Sequence, residues 1–264
     1  MAFVTIGSAS HVGNRKDKNE DYFSFHAPED GSMPKKGILL VLADGMGGRA
    51  GGAQAAKIAV EVMMEEYYKD KSSNIPKSLN RAFLKANEEV IARGDADRSV
   101  QGMAATLIAA VIKKNKMYHA HVGDSRGYLI DGDEIIQFTE DHSIVAGLVK
   151  AGYITEEEAP TYPGGNVITK AIGLEDDLKV DVSEEGIKIR PGHYIMICCD
   201  GLHKDVPKEE ILEVFKKFRE PPEICDKLVE RALNNSGDDN ITVLTARIDQ
   251  TTSGFFSDLK DRFL

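Results

Sequence analysis

Three things are scarce in this chain. Cysteine is the first: Cys198, Cys199 and Cys225 are the only ones in 264 residues. An odd count with two neighbours gives no disulfide framework, and a reducing cytoplasm is the expected compartment. Positive charge is the second. Lys and Arg number 33 against 43 Asp and Glu, a formal net charge of −10, and no five basic residues run together. No nucleic-acid partner is expected, because such partners are bound largely by cationic side chains on phosphates. Long apolar runs are the third. No window approaches the length of a membrane span, so none is expected. The opening MAFVTIGSASHVGN lacks the charged stretch and apolar core of a secretory signal. Internal repeats and low-complexity linkers are missing as well.

What the chain has is enough apolar residue, 42%, to fill a core. Its length fits one large domain or two small ones. Strands are expected at 3–8, 22–27, 37–43, 104–113, 116–122, 127–129, 135–138, 180–189, 194–199 and 241–248, from short apolar or alternating runs between turn residues. Helices are expected at 52–68, 74–93, 207–219 and 221–233, with an irregular helical region over 143–159 and a loop at 160–165. Pro76 sits where a first-turn proline is tolerated. Helix pairs that leave and rejoin runs of strands argue α+β layers rather than a parallel βαβ array. Beyond the last strand, Phe255, Phe256, Leu259, Phe263 and Leu264 share one helical face. A docked terminal helix is expected there, with a frayed or partner-binding tail as the alternative.

Three motif matches fail on their context. Gly45, Gly47 and Ala50 fit the dinucleotide fingerprint G-x-G-x-x-[GA]. That fingerprint needs a second parallel strand after the helix, and here a second helix follows. Asp44, directly before the first glycine, also repels a pyrophosphate at a helix N-terminus. Gly123-Asp124-Ser125-Arg126-Gly127 fits the serine-hydrolase elbow, which lies between a strand and a helix, but another strand follows Ser125. Cys225 and Arg231 have the C-x5-R spacing of cysteine phosphatases without the glycine loop that would lower the thiol pKa. Cys225 reads as helix packing.

The aspartates form a stronger pattern. Asp44 ends ILLVLAD, Asp124 ends AHVGD, Asp200 ends IMICCD, Asp239 precedes NITVL, and Glu20-Asp21 precede YFSF. Any one of these is an ordinary cap or turn residue. An acid at the end of a buried strand is costly when unpaired, however, and five such places argue for convergence. A pocket of carboxylates with little histidine or cysteine selects hard cations such as Mg²⁺ or Mn²⁺. Two such ions clamp phosphoryl oxygens and acidify a water, so no protein nucleophile is required.

The order of these segments is itself informative. GNRKDKNEDYF (13–23), VLADGMGGRAGGAQAA (41–56), GMAATLIAAVI (102–112), HVGDSRGYLI (121–130), TEDHSIVAGLVKAGYITEEEA (139–159), NVITKAIG (166–173), IMICCDGL (195–202) and GDDNITVL (237–244) run in sequence. Together they resemble the metal-dependent (type 2C) serine/threonine protein phosphatases, most closely bacterial ones. The resemblance implies a four-layer α-β-β-α sandwich of two antiparallel sheets flanked by helix pairs. It implies a catalytic domain over 1–249, a flap at about 141–165 and a C-terminal tail over 250–264. It also implies hydrolysis of phosphoserine and phosphothreonine in proteins by a metal-bridging hydroxide, using two Mn²⁺ or Mg²⁺ ions with room for a weaker third. Asp44 is implied to bridge two ions, with the Gly45 carbonyl on one of them. Asp200 and Asp239 hold the first ion, Glu20 the second, and Asp21 orients water at the metals. Asp124 belongs to the third.

Some positions depart from that family. Met46 stands where some members carry a histidine, so the leaving-group proton comes from water or elsewhere. The phosphate-binding arginine position is Lys16, with Arg15 one residue earlier. Arg15 is the favoured phosphate contact because a lysine cannot make a bidentate one. Lys204 replaces the acid usual four residues after the Asp200 position, which weakens a third metal site, and Ala105 in GMAAT is expected to be a packing change. The same resemblance implies phosphoprotein substrates and a cognate serine/threonine kinase. A monomer is expected. A non-catalytic phosphoprotein-binding regulator on the same fold is the alternative, although such regulators tend to lose metal acids.

Overall fold

The computed structural model describes residues 3–28, 33–46, 51–165 and 167–249. In chain order the elements are β1 (Val4–His11), β2 (Tyr22–His26), β3 (Ile38–Ala43), α1 (Gly52–Lys69), α2 (Ile75–Ala96), β4 (Leu107–Lys113), β5 (Lys116–Val122), β6 (Arg126–Asp131) and β7 (Glu134–Gln137). Then come α3 (Ile144–Lys150), β8 (Asp181–Val182), β9 (Ile187–Lys188), β10 (Tyr194–Cys198), α4 (Asp200–His203), α5 (Lys208–Lys217), α6 (Pro221–Asn235) and β11 (Ile241–Ile248). One sheet runs β1-β11-β10-β6-β7 and the other β2-β3-β4-β5-β8, with β9 also on β5. All of these pairings are antiparallel.

Side-chain alternation builds the layers. On β3, Ile38, Leu40 and Leu42 enter the core between the sheets with Ile108, Ile112, Ile195, Ile197 and Leu244. Leu39, Val41 and Ala43 point the other way and pack under α1 and α2 with Ala56, Met63 and Phe83. The continuous apolar run of β3 is thus a strand covered on both faces. On the far side, Tyr128, Met196, Cys198 and Val243 pack under α4–α6 with Ile211, Phe215 and Leu228. The result is the expected α-β-β-α sandwich.

Several local expectations change. The strand expected from 104 begins at Leu107, although Ala105 still bridges to Gly45 and Ile172. The helical region over 143–159 shortens to α3 followed by a turn of 3₁₀ helix at Ala159–Thr161. The strand over 180–189 divides into β8 and β9. The tail from 250, together with Gly47 and Ala50 of the dinucleotide match, lies outside the described residues.

Candidate metal centre

Strand register explains why the acids meet. Cys198 at the end of β10 pairs with Val243 near the start of β11 and with Arg126 at the start of β6. In the other sheet, Ala43 at the end of β3 pairs with Tyr22 at the start of β2, and Leu42 pairs with Ile108 near the start of β4. Val122 at the end of β5 pairs with Leu107. Asp21, Asp44, Asp124, Asp200 and Asp239 therefore all lie in connections at one end of both sheets.

The backbone there is held closely. A Cβ on Gly45 would lie 2.4 Å from the Gly52 carbonyl, so only glycine admits the α1 terminus against the strand end. Gly45 N donates to Glu20 O at 3.2 Å. On the other sheet a Cβ on Gly201 would lie 2.1 Å from Asn240 O. Asn240 is the joint between them: its Nδ2 donates to Val12 O and Lys18 O at 2.8 and 2.9 Å, and its Oδ1 accepts from Glu20 N at 2.8 Å. Thr106 fixes Asp44 through Asp44 N to Thr106 Oγ1 at 3.0 Å and Thr106 N to Asp44 O at 2.8 Å. The sequence reading gave neither Asn240 nor Thr106 a role. The GDDN run placed Asn240 beside Asp239, and that adjacency was the available signal.

The electrostatics are those of a site short of positive charge. Both carboxylate oxygens of Asp21 and Oδ1 of Asp124 are buried without a hydrogen bond. Burial pushes Asp21 up to about 7, opposed by Thr242 and Cys199 and reinforced by Asp200 and Asp239. Burial and the Asp200 carboxylate push Asp124 up to about 7 as well. Asp44 is raised well above the usual carboxylate range by burial, then by Asp21, Asp200 and Asp124. Desolvation pushes half-buried Asp200 up as well, yet the ammonium of Lys204 at 2.5 Å holds it below its ordinary value. Orphaned buried oxygens that repel one another, in an oxygen-rich set, fit divalent hard cations.

The candidate residues do not all sit alike. Lys16 Nζ lies 2.7 Å from Asp239 Oδ1. Burial works against its charge, but Asp239, with Asp200 and Asp44 behind it, outweighs burial and raises its pKa. Arg15 turns outward to Asp238 at 2.8 Å, its side chain 74% exposed. Glu20 Oε1 reaches the start of α1, 2.9 Å from where a Gly52 Cβ would be. Asp21, Asp44 and Cys199 bring ligand atoms within 4.8 Å of one another. Ser125 is buried between two strands with its Oγ 2.7 Å from Thr106 Oγ1, which suits no nucleophile. Cys225 is buried in α6. His203 is buried with Nε2 on Asp124 O at 3.0 Å, and burial pushes it down to about 4, so it is no proton donor near neutral pH.

A second cluster, His121, His142 and Asp181, also brings ligand atoms within 4.8 Å. It does not fit a metal. His142 Nδ1 accepts from Gly123 N at 3.1 Å, so Nε2 carries the proton and donates to Asp181 Oδ2 at 3.1 Å. Lys170 Nζ already lies 3.1 Å from that nitrogen and 3.1 Å from Asp181 Oδ1. The group anchors the 141–165 segment: His142 N donates to Gly123 O and Thr169 N to His142 O.

A family model described as protein phosphatase 2C matches residues 9–235. The chain belongs to the protein phosphatase 2C family. It is 33% identical over 220 residues to the serine/threonine phosphatase stp of Listeria monocytogenes, covering 82% of this chain and 86% of that protein. It is 32% identical over 242 residues to the protein phosphatase PhpP of Streptococcus pneumoniae, covering 91% and 96%. The crystal structure of the PstP catalytic domain with two manganese ions superposes with a TM-score of 0.78 at 31% identity, covering 94% of this chain and 99% of that one. Family membership agrees with the two antiparallel sheets, the flanking helices and the acid-lined end.

Proposed function

We propose that this chain is a Mn²⁺- or Mg²⁺-dependent protein serine/threonine phosphatase. The observation that carries this reading is the convergence of buried Asp124 with half-buried Asp21, Asp44 and Asp200, mutually repelling, at one end of both sheets. Asp44, Asp200 and Asp239 are assigned to one ion, and Asp44 with the Gly45 carbonyl, Glu20 and Asp21 to the other, Gly45 N donating to Glu20 O at 3.2 Å. Divalent ions there supply the positive charge that phosphoryl oxygens require and make water a nucleophile near neutral pH. The chain's own part is to hold the carboxylates rigidly, through Thr106, Asn240 and the close glycine contacts, and to keep bulk water from one wall of the site. With Met46 beside Gly45 and His203 neutral, the leaving-group proton is assigned to water. Residues 1–249 are assigned as the catalytic domain, and 141–165 as a flap beside the site. Phosphoproteins are the substrates, and a serine/threonine kinase is the expected counterpart. Among the described residues no helix is long and apolar enough to cross a membrane.

The direct test is phosphate release from a phosphothreonine peptide. Activity is expected with Mn²⁺ and none after EDTA. Peptide binding without hydrolysis under every divalent ion would instead support a phosphoprotein-binding regulator.

Arg15 and Lys16 separate by readout. The Arg15–Asp238 pair is exposed and weak, so Arg15 is released cheaply to take a phosphate in bidentate fashion. Arg15→Ala is expected to raise KM for the phosphopeptide about tenfold, the loss of one charged hydrogen-bonding contact. Lys16 competes with a cation for Asp239, so Lys16→Ala is expected to tighten Mn²⁺ binding with a smaller KM effect. The reverse pattern in steady-state kinetics and Mn²⁺ titration would hand the phosphate to Lys16.

A further inference from the structure

Asp124 is the acid that the family resemblance connects with a third, weaker ion, and Asp200, implied for the first ion, lies beside it across Lys204. In this chain a side chain already reaches both. Lys204 Nζ lies 2.5 Å from Asp200 Oδ2 and 3.9 Å from Asp124 Oδ2. The placement is set by the backbone. Lys204 closes α4, its N–H donating to Asp200 O at 2.9 Å, so the two residues share a face at i,i+4 spacing. Asp124 approaches from the β5–β6 connection, its carbonyl held by His203 of the same helix. Asp124 is 5% exposed, and its Oδ1 has no partner. The neighbouring acid, Asp205, offers no substitute ligand, because its Oδ2 accepts from Gly237 N at 2.8 Å.

We propose that Lys204 is a tethered cation standing in for the third ion, so that this chain takes two divalent ions and not three. The proposal rests on the phosphatase reading of the acid cluster. A free ion must evict an ammonium that is covalently held beside both acids and therefore present at high effective concentration. It must also enter next to ions already sharing these carboxylates. Lys204 contacts Asp200 through Oδ2, which leaves Oδ1 for one of the two ions. The Lys204 side chain stays 39% exposed, so its ammonium reaches the acids without the whole side chain being buried. A tethered charge neutralises the Asp124–Asp200 pair at any metal concentration, whereas a weakly held third ion does so only when the metal is abundant.

The experiment is a Mn²⁺ titration of the metal-stripped full chain up to millimolar metal, reading free Mn²⁺ by its EPR signal. The wild type is expected to saturate at two ions per chain. Lys204→Asp is expected to take a third, weaker ion. Lys204→Met, which keeps the stem without the charge, is expected to take that ion more weakly than Lys204→Asp but more strongly than wild type. A wild type that binds three, or a Lys204→Asp that stays at two, overturns the proposal. So does a Lys204→Met that titrates like wild type, because Lys204 would then be packing only. Thermal melts of the three proteins with Mn²⁺ confirm that each is folded. A wild type that binds two ions and releases no phosphate from the phosphothreonine peptide defeats the phosphatase reading and leaves the ion count intact. An active wild type with three ions does the reverse, and one that binds none defeats both.

Discussion

Asp44→Asn is expected to lower phosphatase activity by about 10³-fold or more while raising the thermal stability of the metal-free protein. The two effects share one cause. Asp44 is half-buried, and desolvation together with Asp21, Asp200 and Asp124 acts to keep it protonated. Without metal that carboxylate is a cost to the fold, and an amide of the same shape removes it. The backbone contacts with Thr106 do not involve the Asp44 side chain and persist. With metal the balance inverts, because the charge becomes the bridge on which the ions depend. Losing electrostatic stabilisation of this kind typically costs at least about 10²–10³ in rate. Calorimetry in EDTA is expected to show Asp44→Asn melting about 2–4 °C above wild type, the shift that about 1 kcal/mol produces in a domain of this size. Added Mn²⁺ should then raise the wild type well above the variant. A variant that melts below wild type in EDTA, or that keeps its activity, would show that Asp44 does not sit at the electrostatic centre.

The contrast between legible and illegible parts of the fold has a physical basis. β3 is readable because both faces are buried, so nothing polar interrupts ILLVLA and the strand end is marked by Asp-Gly. The 143–159 region is not, because α3 has no buried residue and hence no core face to impose a period. Tyr153 is 79% exposed. Its stop is nevertheless written in the chain. Gly152 has φ +74, Gly152 N donates to Val149 O, and Tyr153 N donates to Leu148 O, the hydrogen-bond pair of a glycine-terminated helix. The break between β8 and β9 was also marked, by Ser183-Glu184-Glu185-Gly186. In the site, each acid was visible at a strand end, but their meeting depends on register between strands that are far apart in sequence. Lys16 and Arg15 lie in a loop with no period at all, so only the folded loop shows which of them faces Asp239. Lys204 was readable as a departure from its family. That its ammonium reaches both Asp124 and Asp200 follows from the one-turn helix α4, which was too short to leave a periodic signal.

The last prediction concerns pH. In metal-free protein Asp21 and Asp124 are each expected to lose about 1 kcal/mol of stabilising effect between about pH 6.5 and 8, read as the difference between wild type and an aspartate variant, and saturating Mn²⁺ is expected to abolish that loss. Asp21 and Asp124 are each pushed up to about 7 in the fold, against about 3.9 for a free aspartate. Between those values the folded state holds protons that the unfolded state has released, so stability falls as pH rises. The buried histidines act in the opposite sense. His119 and His203 are pushed down to about 4, and His121 and His142 are also lowered. Their folded forms stay neutral while the unfolded chain, with a histidine pKa of about 6.5, still binds protons, so they favour the fold increasingly through that pH and add about 0.4 kcal/mol each between pH 6.5 and 8. Below that pH the two groups oppose each other. Above it the carboxylates lose about 1 kcal/mol each by pH 8 and the histidines offset most of that loss, so the carboxylate part is read against an aspartate variant, at about 2–4 °C for each acid. Bound Mn²⁺ keeps the carboxylates ionised throughout, so no protons are left to release and their slope disappears. In EDTA the melting temperature of wild type minus that of Asp21→Asn should fall by about 2–4 °C from pH 6.5 to 8, the histidine contribution being common to both proteins. A difference that stays flat or grows from pH 6.5 to 8 without metal would mean that Asp21 is already ionised in the empty site.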